Sequence, residues 1–347
     1  MNKKFGFSLV ISLILLAILM VVSIRYGAAQ ATMKTVYHAV FDYHASQLQQ
    51  AVIHEIRLPR VLGAALIGAS LAGSGLIMQE LTQNPLADSG LLGINAGAGF
   101  MLTISFIVLP KATPQQTAIF ALIGAALSAC LILAISMAKK TQKTATVVLA
   151  GMAISSCLVA LSEGLSLMTQ LKRDLAFWHF GGVAAITWAQ LTQLGPWLIG
   201  GLIASLCLAP QLRLLQLGDE LVLSLGRKTS VVRLLGFICV IILAGISVAL
   251  VGSVAFVGLM VPHITRYLVG YDVRKVMPVT LLLGASLVVA ADLISRTINP
   301  PQEIPFGIMI ALIGVPFLIY LARKGASEAG ICRQNVIGFG SSGWWLC

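Results

Sequence analysis

The stretch LGAALIGASLAGSGLIMQELTQNPLA, residues 62–87, decides the fold of this chain. Its first part, Leu62–Leu81, is predominantly apolar and has the length of about 20 residues that a helix needs to cross a bilayer. Its end, Asn84-Pro85-Leu86-Ala87, interrupts the apolar run with residues that favour a turn, and a second apolar run follows. This alternation predicts a chain that crosses a membrane several times.

The composition makes the bilayer the solvent for most of the chain. Of the 347 residues, 58% are hydrophobic and 10% are charged, whereas soluble domains carry about 25% charged residues. The net charge of +11 is scattered over short loops, and this pattern argues against a nucleic-acid partner because no long basic run is present. Membrane lipid is therefore the expected surrounding of the protein.

The sequence predicts an all-α integral membrane protein with ten membrane-spanning helices. The expected spans are Phe7–Ile24, Leu62–Leu81, Leu91–Leu109, Thr117–Ala138, Thr144–Met168, Leu191–Ala209, Val231–Val251, Ala255–Val269, Val276–Ile294 and Gly307–Leu321. The eighth is short and contains Pro262, and broken helices at membrane depth occur where protein surrounds them. We therefore expect a packed helical bundle.

The distribution of basic residues predicts the orientation. If the N-terminus is cytoplasmic, most of the 23 Lys and Arg residues fall in segments on the inner side, as the positive-inside rule requires. The run Phe7–Ile24 is longer than the apolar core of a signal peptide, so we interpret it as a retained first span. The chain is expected in the cell membrane as a multi-pass protein with both termini in the cytoplasm.

Three arginines lie at the predicted outer ends of spans. Arg57 and Arg60 precede the second span, and Arg296 ends the ninth. They either extend to lipid head groups or bind carboxylates of a partner, for which the planar guanidinium is well suited. Asp292 precedes Arg296 by four residues, which places both on one helical face and predicts a structural ion pair.

The longest predicted inner loop, residues 210–232, contains a short amphipathic pattern bounded by glycines. Its distinctive residues are Leu217, Gly218, Asp219, Glu220, Leu225, Gly226 and Arg227. Such a helix either lies on the lipid surface or docks on a cytosolic protein. Two acids followed by two bases favour the protein over anionic lipid.

Catalytic motifs are absent from the sequence. It contains neither a G-x-x-x-x-G-K-[ST] loop nor an H-E-x-x-H pair, so it does not bind ATP by a P-loop or zinc in the metalloprotease manner. The six cysteines show no C-x-x-C spacing, which argues against a zinc site or a disulfide framework. We therefore expect no enzyme activity, no metal and no cofactor.

Between Arg57 and Arg323 the order of motifs resembles the permease family of ABC importers for iron–siderophore, haem and cobalamin (FecCD-like permeases). The matching motifs are Arg57-Leu58-Pro59-Arg60, Gly73-x-Gly75, Met78-Gln79, Asn84-Pro85-Leu86-Ala87, Leu217-Gly218, Leu225-Gly226, Phe256-Val257-Gly258-Leu259, Pro262-His263 with Arg266, Gly270-Tyr271-Asp272, Asp292 with Arg296, Glu303-x-Pro305-x-Gly307 and Ile313-Gly314-Val315-Pro316-Phe317. Ser89 departs from the pattern, because a proline is usual there.

The resemblance implies a type II ABC importer permease with named partners. These are a second permease subunit, identical or related, two cytosolic ATPases and an extracytoplasmic substrate-binding protein. By position, Arg57, Arg60 and Arg296 look like the arginines that receive the binding protein. The segment 218–228 looks like the element that enters the ATPase, and Asn84, Pro85 and Leu86 look like the inner gate. Residues 1–324 would form the permease domain, and residues 325–347 stay unassigned.

Family frequency favours an iron–siderophore cargo of the Fe(III)-hydroxamate kind, and haem or cobalamin is the alternative. A secondary transporter driven by protons or sodium would need acids at a midplane site, for which only Glu163 and Asp292 qualify. A membrane-embedded enzyme would need a catalytic cluster at one depth, which the sequence does not suggest.

Overall fold

The structure of the protein, a computed structural model, describes residues 3–26, 31–44, 46–90, 93–138, 144–169, 181–216, 229–298 and 303–338. Throughout these ranges the chain forms helices and short connections, with no β-strand. The helices are α1 (Lys3–Arg25), α2 (Met33–Phe41), α3 (Leu48–Val52), α4 (Leu58–Thr82), α5 (Ile94–Val108), α6 (Pro114–Ala138), α7 (Thr144–Met168), α8 (Trp188–Leu215), α9 (Thr229–Val251), α10 (Val257–Val269), α11 (Val273–Thr297) and α12 (Phe306–Gly338). A π-helical turn, Ile53–Arg57, joins α3 to α4.

Each of the ten expected spans coincides with a helix of the bundle. In the described parts of the chain, seven helices are long and apolar enough to cross a membrane. By contrast, α5 has 15 residues and α10 has 13, fewer than the ~17–25 that a complete crossing needs. These two helices therefore begin or end inside the bundle.

The predicted loop 210–232 is shorter than expected at both ends. Helix α8 continues through Pro210 to Leu215, and α9 begins at Thr229. A proline inside a helix leaves one backbone carbonyl without its usual N–H donor. Membrane helices tolerate it when neighbouring helices satisfy the freed backbone groups.

Helix α4 is the centre of the bundle. Nearly all its residues from Pro59 to Leu81 are buried, and it packs against α8, α9, α10 and α11. Helix α1, in contrast, exposes most of its apolar side chains, as a helix at a lipid-facing edge does. The small residues that crowd the sequence of α4 are thus explained by its central position, where backbones approach closely.

The two ends of the bundle are defined by the residues that meet there. At the Arg60 end, the start of α4 meets the C-terminal ends of α1 and α11. At the opposite Glu80 end, the C-terminal ends of α4, α8 and α10 come together. Functional side chains are concentrated at these two ends and in one loop between α4 and α5.

Two glycine pairs allow α4 to touch its neighbours through the backbone. A Cβ atom added to Gly75 would overlap the backbone of Gly258 in α10, and one added to Gly68 would overlap the backbone of Gly284 in α11. No rotamer change can relieve an overlap with backbone atoms. Both contacts therefore require glycine.

We expect Gly75→Ala to destabilise the chain by about 1–3 kcal/mol, the usual cost of overpacking a tight core. The matched control is Gly99→Ala on α5, where no heavy atom beyond the adjoining residues and backbone of its own helix lies within 4 Å of the added Cβ. The control should be neutral or slightly stabilising because alanine is the better helix former. Thermal unfolding of both variants in detergent measures the difference, and equal melting temperatures would contradict the prediction.

Candidate functional site

The three arginines singled out in the sequence come together at the Arg60 end, and all three are buried. Arg57, Arg60 and Arg296 are exposed by only 6%, 6% and 7%. Arg60 donates from Nη2 to Asp292 Oδ1 at 2.7 Å and from Nη1 to Glu303 Oε1 at 2.8 Å. Its guanidinium is therefore fully engaged by two carboxylates of the same chain.

Arg296 and Arg57 bind the end of α1. Arg296 Nη2 donates to the carbonyl and hydroxyl oxygens of Ser23, and Arg57 Nη1 donates to the carbonyls of Ile24 and Arg25, both at 3.0 Å. These bonds satisfy carbonyls that the end of a helix leaves without intrahelical partners. The arginines thus fasten α1 to α4 and α11.

Asp292 and Arg296 lie close together as expected, but Arg296 is not the nearest cationic partner of Asp292. Arg296 Nε lies 3.7 Å from Asp292 Oδ2 at the expected spacing of four residues. The short hydrogen bonds of Asp292 come instead from Arg60. Asp292 is thus shared by two guanidinium groups. Docking of a partner protein on these arginines stays a prediction. Among the carboxylates that bind them, Glu303 is the most accessible, with a side chain that is 36% exposed.

The motif Asn84-Pro85-Leu86-Ala87 forms a tight turn directly after α4. Gln83 adopts a left-handed conformation, with φ of 50°. Asn84 Oδ1 accepts from the Leu86 N–H at 3.0 Å, and Asn84 O accepts from the Ala87 N–H at 3.1 Å. The asparagine side chain therefore closes the turn, which explains asparagine before proline. We call residues 83–87 the gate turn, after the role that the resemblance implies.

After the gate turn the chain re-enters the bundle. Asp88 and Ser89 are buried, and Ser89 Oγ lies 3.3 Å from Ser74 Oγ, two helical turns inside the end of α4. Ser89 thus makes a side-chain hydrogen bond with Ser74 that a proline at this position could not make. Non-helical backbone survives at this depth only when protein surrounds it, so the loop 88–90 is part of the packed interior.

The carboxyl group of Asp88 ties this loop to the start of α10. Its Oδ2 accepts from the backbone N–H of Phe256, with 3.1 Å between Phe256 N and Oδ2, and the backbone N–H groups of Ser89 and Gly90 lie near the carboxyl group. Phe256 precedes α10 with φ of 71°. A carboxylate is favoured at a helix N-terminus, where N–H groups point outwards. Asp88 therefore caps α10 and fixes the loop after the gate turn.

The start of α5 meets the same region. Gly93 precedes α5 with φ of 82°, and Asn95 Nδ2 donates to the carbonyl of Val254 at 2.8 Å. The N-terminal ends of α5 and α10 are thus held close together inside the bundle. This arrangement explains why both helices are short.

Four side chains form what we call the inner polar cluster at the Glu80 end: Gln79, Glu80, Gln216 and Arg266. Arg266 Nη2 lies 3.0 Å from Glu80 Oε1, and Gln216 Nε2 lies 2.9 Å from Glu80 Oε2. Arg266 also donates to Gln79 Oε1, and Gln79 Nε2 donates to the carbonyl of Gly258 at 2.9 Å. The cluster joins α4, α8 and α10.

A second, exposed group of charges lies beside the cluster. Asp272 caps α11 and lies within 4 Å of Arg213, Arg274 and Lys275. Its hydrogen bond from Arg274 lowers the pKa of the Asp272 carboxyl. The Glu80 end thus presents several basic side chains at its surface.

Several expected site residues fall outside the described residues. These are Leu217, Gly218, Asp219, Glu220, Leu225, Gly226 and Arg227, all within 217–228. The described chain ends on either side of that segment at Gln216 and Thr229. In the described parts of the chain, no three His, Cys, Asp or Glu side chains come together as metal ligands would.

Sequence reasoning missed Asp88 and the inner polar cluster. A general signal was available, because charged residues in or beside apolar helices need partners at membrane depth. Glu80 and Arg266 are two such residues of opposite charge. The sequence could not reveal their pairing, since they are 186 residues apart along the chain.

The chain is similar in sequence to permease proteins of iron import systems. The chain is 39% identical over 317 residues to the iron(3+)-hydroxamate import system permease protein FhuB of Bacillus subtilis, covering 91% of this chain and 83% of that protein. It is 35% identical over 304 residues to the Fe(3+) dicitrate transport system permease protein FecC of Escherichia coli, covering 86% and 91%.

A solved structure shares the arrangement of helices. It is an inward-facing transporter assigned to the metal-chelate ABC type, and it superposes with a TM-score of 0.78 at 28% identity, covering 91% of this chain and 98% of that one. Residues 15–324 match the FecCD transport family. This chain, an all-helical multi-pass membrane protein of the type II permease fold, belongs to the FecCD transport family.

Proposed function

We propose that this chain is the membrane subunit of an ABC importer that carries an Fe(III)–hydroxamate complex across the cell membrane. The observation that carries the proposal is the 39% identity to a hydroxamate permease along nearly the whole length. The identity to a dicitrate permease, 35%, is only slightly lower. Transport of an iron chelate is therefore supported by both relatives, and the hydroxamate by the first of them.

Two cytosolic ATPases would bind the Glu80 end. Its basic side chains favour a cytoplasmic location, and the segment 217–228, with Asp219, Glu220 and Arg227, would enter the ATPase surface. This orientation also places both termini in the cytoplasm. The permease supplies a pathway with two states, and ATP binding in the partner shifts the population between them.

A substrate-binding protein would dock at the Arg60 end. Arg57, Arg60 and Arg296 are occupied by partners within the chain, so an incoming acidic side chain must exchange with one of them. Glu303 is the most exposed of those carboxylates. In this proposal the acid of the binding protein replaces Glu303 on Arg60 Nη1, while Asp292 keeps the guanidinium in place.

A second permease subunit would lie opposite α7, across the pathway. Glu163 lies on an exposed face of this helix, and an ionisable side chain inside a spanning helix faces protein or a water-filled cavity rather than lipid. The exposed face of α7 is thus unsuited to lipid. We propose that it faces the pathway between two permease subunits, with the gate turn, Asn84, Pro85 and Leu86, closing that pathway on the cytoplasmic side.

Uptake by the reconstituted transporter tests the proposal. The permease, its ATPase and its binding protein are placed in liposomes, and radioactive iron is supplied as a ferric hydroxamate, as ferric citrate or as haem. We expect ATP-dependent accumulation of the hydroxamate at a rate at least several times that of the other two. Preferred uptake of citrate or haem would reassign the cargo and leave the importer assignment intact.

An ion gradient without ATP serves as the control. Accumulation of the chelate by the permease alone, driven only by protons or sodium, would overturn the importer assignment. Abolition of uptake by an uncoupler at constant ATP would have the same meaning.

A further inference from the structure

Helix α2 is a short helix beside the end of α1, at the Arg60 end of the bundle. Helix α1 ends at Arg25 and α2 begins at Met33, and the Ala31 N–H donates to the Arg25 carbonyl at 3.4 Å. Helix α1 packs against α11 with one side and exposes most of its apolar side chains on the others. Helix α2 therefore starts where a lipid-facing helix ends.

One side of α2 is attached to the bundle. Val36 and Ala39 are buried there and form a small apolar core with Ala31 and Ile53, against which Ile24 packs. Residues three apart on a helix lie on the same side, so these contacts form one continuous strip. They fasten α2 to the end of α1 and to the π-helical turn before α4.

A second side of α2 is apolar and exposed. Its residues are Met33, Tyr37, Val40 and Phe41, which have the spacing i, i+4, i+7 and i+8 of a single helical face. Tyr37 is 61% exposed and Phe41 is 75% exposed, and their rings lie 5.0 Å apart. We call these four residues the apolar side of α2. Within the described residues nothing covers it, and an exposed apolar patch of this kind marks an interaction surface.

The third side of α2 is polar. With about 100° of rotation per residue, Lys34, Thr35 and His38 occupy the third of the circumference that neither the bundle contact nor the apolar side takes. Lys34 is the only residue of α2 with a permanent charge, and the helix contains no acid. A helix that lies in the surface of a membrane has these properties, with its apolar side towards the acyl chains and its polar side towards water.

The end of α1 marks the level of the lipid head groups. Tyr26, directly after α1, is 40% exposed, and the guanidinium of Arg25 lies 5.4 Å from the centre of its ring. Tyrosine is enriched where a spanning helix meets water, and arginine there extends its charge to the head groups. Because α2 is attached at this level, the exposed rings of Tyr37 and Phe41 continue the same aromatic belt.

We propose that α2 is an interfacial helix whose apolar side inserts into the phospholipid leaflet at the Arg60 end. The apolar side of α2 is continuous with the lipid-facing surface of α1, and Lys34 is placed to bind the phosphate of a head group. The attachment holds the π-helical turn, and with it Arg57, at a fixed height relative to the membrane. The inference depends on the chain's spanning a membrane and holds whichever chelate is carried.

Photo-cross-linking identifies what covers the apolar side. Phe41→p-benzoylphenylalanine is compared with His38→p-benzoylphenylalanine on the polar side. Each full-length variant is reconstituted with its ATPase and binding protein in liposomes of phosphatidylethanolamine and phosphatidylglycerol. We expect the yield of phospholipid adducts, measured by mass spectrometry, to be at least about fivefold higher at position 41, since only that side faces acyl chains. Cross-linking of position 41 to the binding protein or to a second permease, in place of lipid, would overturn the inference.

Thiol accessibility provides a second readout. Phe41→Cys and His38→Cys are treated with a water-soluble maleimide in liposomes, and the labelled peptide is quantified by mass spectrometry. No native cysteine interferes, because the first one is Cys130. We expect labelling at position 41 to be at least about fivefold slower, because a thiol in apolar surroundings ionises less readily. The two rates should become equal when the chain is unfolded in urea. Equal rates in the folded, reconstituted protein would show that water covers the apolar side and would refute insertion.

Discussion

Arg60→Ala is expected to destabilise the folded chain by about 3–5 kcal/mol, the cost of breaking a buried ion pair by removing one partner. Asp292 is exposed by 1%, and its shortest hydrogen bonds come from Arg60. Loss of the guanidinium leaves this carboxylate with only the more distant Arg296. We expect a large fall in melting temperature in detergent and little protein in the membrane fraction.

The double variant Arg60→Met/Asp292→Leu provides the matched comparison. It removes the charges of Arg60 and Asp292 together and leaves Arg296 with its hydrogen bonds to Ser23. Glu303 can turn to water because its side chain is already 36% exposed. Stability should return to within about 1–2 kcal/mol of the unmodified chain, as apolar replacement of buried ion pairs allows. If the double variant is as unstable as Arg60→Ala, the ion pair is not the reason for the loss.

The same double variant tests docking of the binding protein. Charge reversal at Arg60 is unsuitable for this purpose, because it would place a new carboxylate beside those of Asp292 and Glu303. A folded double variant that no longer responds to the binding protein would support docking on Arg60. A normal increase in ATP hydrolysis would limit Arg60 to holding α4 against α11.

Asp88→Ala is expected to produce the second large effect, a loss of about 2–4 kcal/mol together with loss of transport. The buried carboxyl group accepts from the backbone N–H of Phe256, with the N–H groups of Ser89 and Gly90 nearby, and each buried donor left without a partner costs about 1–3 kcal/mol. Without this acceptor the loop after the gate turn is no longer fixed to α10. Melting temperature and chelate uptake measure the two consequences separately.

Two further variants test whether the lost hydrogen-bond acceptor causes the instability of Asp88→Ala. Asp88→Asn keeps an acceptor oxygen, so it should lose less than half as much stability as Asp88→Ala. Gly258→Ala should destabilise the chain at least as much as Asp88→Ala, because its Cβ would overlap both Asp88 Oδ1 and the backbone of Gly75. The control is Asp42→Ala at the end of α2, where the carboxylate is 64% exposed and should have little effect. Normal uptake by a stable Asp88→Ala variant would contradict a role in holding the gate.

The sequence predicted where the helices of the bundle lie because each depends on a local property, the length of an apolar run. It also predicted the face shared by Asp292 and Arg296, which depends only on helical spacing. It did not predict that Arg60 is the nearer partner of Asp292, since 232 residues separate them. The turn at Asn84 was recognised from its residues, whereas the return of the chain into the bundle depends on Asp88 and Phe256, which only the folded state brings together.

Helix α10 has a consequence for how the protein is made. Its 13 residues extend about 20 Å, well short of the hydrocarbon thickness of about 30 Å, and it carries the charge of Arg266. A translocon that released helices into the lipid one at a time would not retain this one. During biosynthesis α10 must therefore enter with α9 or α11 as a hairpin, and its insertion is completed only when α4 is there to receive it.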